Sequence, residues 1–252
     1  ADGITLDLNG YTITGSGVEG PNGVQVFGRT GVTIKNGTIK NFGNGIFLWG
    51  SDDNTVQDIV SNGNSREGIL VYVDSDRNQI VGNTSNGNSL NGIDLWDGSD
   101  NNTVKNNTCN NNESDGILLS DGSANIIYNN TCNNNGTNGI FLRSSDDNSV
   151  IGNTTNGNTH NGLCMDGADN NLVKDNSSSA NLDNGLVVGD SNGNTMVGNT
   201  ADANVSFGVI LVNGSKENTI KEGTITRSHV GVNLDSTSTL NVIQANFISE
   251  SA

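Results

Sequence analysis

A glycine followed by Ile, Val or Leu recurs along this chain at Gly23, Gly45, Gly68, Gly92, Gly116, Gly139, Gly162, Gly185, Gly208 and Gly231. The spacings are 22, 23, 24 and 24 residues, then 23 five times, with no insertion to break the series. A short, fixed period means that each unit is one supersecondary element that cannot bury its apolar face alone and must stack on its neighbours. Residues one and three after the repeat glycine are apolar, as in Ile46/Leu48, Ile69/Val71, Ile93/Leu95, Ile140/Leu142 and Val209/Leu211. Alternation with period two predicts a strand with one buried face.

Two more short strands are expected in each unit. One follows an Asn, as at Asn54-Thr55-Val56, Asn78-Gln79-Ile80 and Asn148-Ser149-Val150; the other begins at the next Asn-Thr, as at Asn83-Thr84-Ser85 and Asn130-Thr131-Cys132. Parallel pairing normally needs a helical crossover, and no segment here has a helical period. Winding each coil onto the last gives parallel pairing without one. The expected fold class is therefore all-β: a parallel β-helix, or solenoid, of about ten coils with three strands each, forming one domain over residues 1–252. Asn columns run through the repeat, for example Asn54, Asn78, Asn102 and Asn83, Asn107, Asn130. Asn tolerates left-handed backbone at corners, and stacked amides donate to and accept from one another.

The opening Asp2-Gly3-Ile4-Thr5-Leu6-Asp7-Leu8-Asn9-Gly10, the segment Gly31-Val32-Thr33-Ile34-Lys35-Asn36-Gly37-Thr38-Ile39 and the tandem units resemble the right-handed parallel β-helix repeat proteins. That group includes the NosD-like periplasmic proteins and secreted polysaccharide lyases, hydrolases and epimerases. The resemblance implies a right-handed winding and a carbohydrate-related role. It does not extend to the family's active-site motifs: the epimerase Asp-Pro-His is absent, since the one Pro, Pro21, precedes Asn22, and His160-Asn161 and His229-Val230 do not match the glycosidase Gly-His-Gly.

Function on a solenoid lies on outward side chains, two and four residues after the repeat glycine. Both Trp and one Tyr share one such column, at Trp49, Tyr72 and Trp96, with Phe47 and Asp94 beside them and Asp97 next in the chain. Rings on adjacent coils, flanked by carboxylates, suit the apolar faces and edge hydroxyls of sugars; packing under a loop or another subunit is the competing reading. A second constellation is Arg143 and Asp166 in one outward column, with His160 and Asp183 in another. A lyase or epimerase acting on uronates needs a base and a cation to neutralise the substrate carboxylate, and His160 and Arg143 supply those chemistries. Ordinary surface ion pairs account for the same residues. Acidic turns such as Asp97-Gly98-Ser99-Asp100 and Asp166-Gly167-Ala168-Asp169 offer an oxygen-only set for calcium. Copper, implied by the NosD resemblance, would have to draw on His160, His229, Met165, Met196, Cys109, Cys132 and Cys164, and small buried thiols explain Cys109 and Cys132 more simply.

With 27 acidic against 11 basic side chains the chain carries a net charge of −16, which excludes an electrostatically driven nucleic-acid partner. No apolar run approaches the ~18 residues of a membrane span. The reading is an extracellular, cell-surface or periplasmic module that binds polysaccharide or serves as a surface or structural element through its aromatic face, the alternative being a polysaccharide lyase or epimerase acting on uronate-containing glycans. Without amphipathic caps the domain is expected to be part of a longer chain, or its coil ends to meet each other or flanking domains.

Overall fold

Each repeat lays its strands over those of the repeat before, as seen in a computed structural model that describes residues 1–17 and 20–249. No helix occurs among the described residues, and every strand pairing is parallel. The strands that follow the repeat glycines form a ten-stranded sheet. Its register is constant: Ile46 pairs with Ile69 and Ile69 with Ile93, and Trp49 pairs with Tyr72 and Tyr72 with Trp96. The second strands, from Thr5–Asp7 to Val242–Gln244, build a longer sheet along another side.

The third side differs from the expectation of three strands in every coil. In the early coils it is continuous with the second, as the single strands Thr33–Lys40 and Thr55–Asn62. In the last four it is a separate sheet of Ser177–Ser179, Thr200–Asp202, Thr224–Thr226 and Phe247–Ser249. Between them it shrinks to single paired residues running Val60, Thr84, Thr108, Thr131, Thr154. A further Asn column runs beside these residues. The backbone N–H groups of Asn86, Asn110, Asn133 and Asn156 each donate at 2.7 Å to the side-chain oxygen of the Asn one coil earlier, in place of a carbonyl.

The inward residues make one apolar column along the axis, with Ile46, Leu48, Ile69, Ile93, Leu95, Ile117 and Leu119 fully buried. Burying each such side chain is worth about 1.5–3 kcal/mol. The repeat glycine is needed because of a close approach to this column. A Cβ on Gly92 would stand 2.6 Å from the carbonyl oxygen of Gly116 and 2.9 Å from Cβ of Cys109. The facing inward position is accordingly small where the coils are most regular: Ser61, Ser85, Cys109, Cys132, Thr155, Ser178 and Ala201 are all buried.

The Asn columns are hydrogen-bonded as the stacking requires, but the backbone reason for them is different. The residue in left-handed conformation is usually the one before the column Asn, as at Asp53, Arg77, Asn101, Asn106, Asn129 and Asn134. The column Asn itself is buried and chosen for its amide. Asn130 Oδ1 accepts from the backbone N–H and Nδ2 of Asn107 at 2.9 and 3.0 Å, and its Nδ2 donates to Val104 O at 2.9 Å and Asn153 Oδ1 at 3.0 Å. Buried corner amides are satisfied in this way, Asn102 Nδ2 being an exception that has no partner.

Candidate functional site

Constant register brings the aromatic column together. Phe27 stacks on Trp49 with centroids 5.3 Å apart, Trp49 meets Tyr72 edge-on at 5.2 Å, and Tyr72 lies 5.4 Å from Trp96. Phe47, on the same face, contacts both Trp49 and Tyr72 at 5.6 and 6.3 Å. Phe27 and Trp96, at the two ends of the column, are 56% and 40% exposed, large values for such rings. The face is not flat, as a loop-free coil suggests. A shallow groove of about 290 Å³ runs over it, floored by Phe47, Leu70 and Tyr72 and edged by Asn44 and Arg66. Side chains of the turn before each strand raise that edge.

The position two after the glycine is outward in direction but not in exposure. Phe47, Leu70 and Asp94 are 9%, 6% and 3% exposed. Each is sandwiched between the same position of neighbouring coils; Asp94 pairs across the sheet with Leu70 and Leu118. Burial, and after it the charge of Glu67, hold the Asp94 carboxyl up to about 7, Asp115 adding to the effect and an Asn91 hydrogen bond and the Arg143 charge opposing it. Glu67 is likewise raised, by burial. Glu67 and Asp115 were not singled out by the sequence reading. Their signal is an exchange within one column: through Gly185 the residue before the repeat glycine is otherwise Asn, at Asn22, Asn44, Asn91, Asn138, Asn161 and Asn184, and in the last two coils it is Phe207 and Val230.

Arg143 and Asp166 are register partners at the end of their strands. Among the described residues, however, neither Arg143 nor His160 forms an ion pair. Arg143 instead turns to the preceding coil, where its Nε and Nη2 donate to Ser120 Oγ at 3.1 and 2.9 Å. His160 and Asp183 lie on adjacent coils, the Asp183 N–H donating to His160 O at 3.1 Å. His160 precedes the strand Leu163–Asp166, whereas Asp166 ends it, so the imidazole and the guanidinium stand at opposite ends of the strand.

The acidic turns use their oxygens internally. Asp100 accepts from the Ser123 N–H at 2.6 Å and Asp169 from the Asn192 N–H at 2.6 Å. These donors offset the repulsion of stacked carboxylates. Among the described residues no three His, Cys, Asp or Glu side chains gather as a metal-ligand set, so Asp97, Asp100, Asp166 and Asp169 do not converge on a calcium site. The donors for copper do not fit either. Met165, Met196, Cys109 and Cys132 are sealed in the apolar column, and burial raises the Cys132 thiol. His160 is exposed on the outside.

A family model described as periplasmic copper-binding protein (NosD) matches residues 9–164, and one described as right handed beta helix region matches residues 91–248. None of the curated protein sequences matches this chain. Among solved structures, the A-module of Azotobacter vinelandii mannuronan C-5 epimerase AlgE6 is similar at 16% identity, with 98% of this chain and 81% of that one covered and a TM-score of 0.77. The periplasmic alginate epimerase AlgG aligns at 16% identity over 89% of this chain and 72% of its own, TM-score 0.72. The catalytic unit of the GH87 alpha-1,3-glucanase of Streptomyces thermodiastaticus aligns at 15% identity over 90% and 50%, TM-score 0.73. At such identities the likeness is one of fold. With the parallel coil of the structure, the two family matches establish that the chain belongs to the NosD-like right-handed β-helix repeat proteins.

Proposed function

We propose that this β-helix binds polysaccharide outside the cytoplasm, along the groove of its first sheet. The observation that carries the reading is the unbroken column Phe27, Trp49, Tyr72 and Trp96, which keeps ring surface in solvent on four successive coils. Exposed aromatic surface on a soluble face marks a contact site, and coil spacing of ~4.8 Å matches rings to a polymer rather than to one small molecule. The solved structures of like fold, two acting on alginate or mannuronan and one on alpha-1,3-glucan by their descriptions, support a carbohydrate ligand.

Catalysis by His160, Arg143, Asp166 and Asp183 has less support. Proton abstraction beside a uronate carboxylate needs base and cation at one sugar, and a strand separates the two here. Ligand-induced quenching of Trp fluorescence tests the binding reading: it should appear with a polysaccharide panel and be lost in Trp49→Ala and Trp96→Ala. Formation of an unsaturated uronate, abolished by His160→Ala, would instead establish an enzyme.

A further inference from the structure

The polar lining of the groove is engaged on its acceptor side and open on its donor side. Its two side-chain amides are those of Asn22 and Asn44. Asn22 Oδ1 accepts from Asn44 Nδ2 at 3.0 Å, and Asn44 Oδ1 accepts from the backbone N–H of Glu67 at 3.3 Å. Arg66 is the one charged residue of the lining among the described residues, and its side chain is 52% exposed. Its contact with a carboxylate, Nε to Glu67 Oε2 at 3.6 Å, is an ion pair too long for a hydrogen bond. The neighbours of Arg66 one coil to either side, Gly43 and Leu90, meet it through backbone alone: the Arg66 N–H donates to Gly43 O at 3.0 Å and the Leu90 N–H to Arg66 O at 3.1 Å. Neither carries a charge to neutralise it. Arg66 also borders a second hollow of about 530 Å³, shared with Ser65, Ser89 and Leu90, so its guanidinium is open to solvent on both sides.

Resting on the polysaccharide-binding reading, we infer that the groove selects an acidic glycan, whose carboxylate or sulfate ester is held by the Arg66 guanidinium while its sugar rings lie on Tyr72 and Trp96. A guanidinium has five N–H donors and no acceptor, set in a planar fork that matches two oxygens of one oxyanion. Hydrogen bonds of that kind are roughly twice as strong as those between neutral groups. A neutral sugar meets the same fork only through hydroxyl oxygens, and the amide oxygens of the lining are already engaged, so its own O–H groups gain little there. The acids nearby do not line the groove: Glu67, Asp94 and Asp115 are 5%, 3% and 5% exposed. Burial, with the charge of Glu67, also holds the Asp94 carboxyl up to about 7, so below neutrality it adds no repulsion. The rest of the net charge of −16 is carried by side chains outside the lining. Salt screens such charges beyond about 8 Å, and a pair in direct contact much less.

The test is titration calorimetry of the whole chain at pH 6, where Asp94 keeps its proton, with hexasaccharide probes of three kinds. Glucan and mannan are the neutral chains, oligogalacturonate and oligomannuronate carry carboxylates, and a sulfated galactan carries sulfate esters. At least one acidic kind should bind about ten-fold or more tightly than both neutral chains, the scale of one hydrogen bond to a charged group. The carboxylate and sulfate arms identify which anion the fork takes. Arg66→Gln should abolish the preference and leave the neutral affinities nearly unchanged, while Arg66→Lys, which keeps the charge without the fork, should retain part of it. Neutral chains binding as tightly as both acidic kinds, or a preference unmoved in Arg66→Gln, overturns the inference and leaves the polysaccharide reading standing. An equal loss for neutral and acidic probes in Arg66→Gln does the same, since it marks a side chain that only shapes the groove. Absence of binding by every probe overturns both.

Discussion

Replacing Asp94 by Asn should stabilise this protein at alkaline pH and change little in acid. The carboxyl is raised from its ordinary 3.8 to about 7, chiefly by burial and then by Glu67. A shift of about three pKa units corresponds to roughly 4 kcal/mol between the protonated and ionised forms. The folded state holds the Asp94 proton across the window from about pH 4 to pH 7, where the unfolded chain has released it. Stability therefore falls as pH rises through that window and levels off above it. Asn at the same position keeps an acceptor for Asn91 Nδ2, which now donates to Asp94 Oδ2 at 3.0 Å, and carries no charge to desolvate. Urea denaturation at pH 4 and pH 8.5 reads the effect. The variant should gain up to about 4 kcal/mol over the parent at the higher pH and much less at the lower. Groups remote from Asp94 are common to both chains and drop out of the comparison, so the difference reads Asp94 together with Glu67, whose charge raises it. A variant destabilised equally at both pH values would refute the assignment of a buried, protonated carboxyl to Asp94.

Four further outcomes are expected. Trp96→Ala should cost about ten-fold in oligosaccharide affinity, ~1.4 kcal/mol, with an unchanged denaturation midpoint, because the ring is 40% exposed at one end of the column. Gly92→Ala should destabilise by about 2 kcal/mol or more, read as a lower urea midpoint, since the new Cβ would meet Gly116 O at 2.6 Å and Asn112 Nδ2 at 2.8 Å. Asn130→Ala leaves the Asn107 N–H without its acceptor and removes the side-chain donor to Val104 O, and should cost about 1–3 kcal/mol, measured in the same assay. All three free cysteines should resist a disulfide reagent at pH 8 until denaturant is added: Cys109 and Cys132 are fully buried, and burial, then the Asp166 charge, pushes the Cys164 thiol up to about 12.

The coil was legible in the sequence because its determinants are periodic. One glycine, two inward apolar residues and the corner Asn repeat in phase, and phase alone places Trp49, Tyr72 and Trp96 in one column. What the period does not encode is how far one side chain leans toward the next coil. Arg143 shares a column with Asp166 yet bonds to Ser120 behind it. Asp94 points outward yet is covered by flanking leucines and by the turn that carries Asn91. The grouping of Glu67, Asp94 and Asp115 is hidden for a related reason: Asp94 belongs to a different phase from the other two, and the Asn91 side chain, which joins Asp94 to the backbone N–H of Asp115, is itself one of a long series of like amides. On the third side the Asn62, Asn86 and Asn110 side chains accept backbone N–H groups one coil on, a local alternative to ladder pairing that the period likewise does not announce.

The invariance of the coil also makes molecular length a separable variable. Excising residues 116–138, one complete period, would seat Ile140 on Ile93, Leu142 on Leu95 and Asn153 on Asn107, each new neighbour matching the old in kind. Duplicating the same stretch would extend the rod by one strand spacing, ~4.8 Å, with no loop to redesign. Recombination between repeats can thus lengthen or shorten such a surface in whole steps while the number of rings in the groove, set by a few outward positions, is adjusted independently by point substitution.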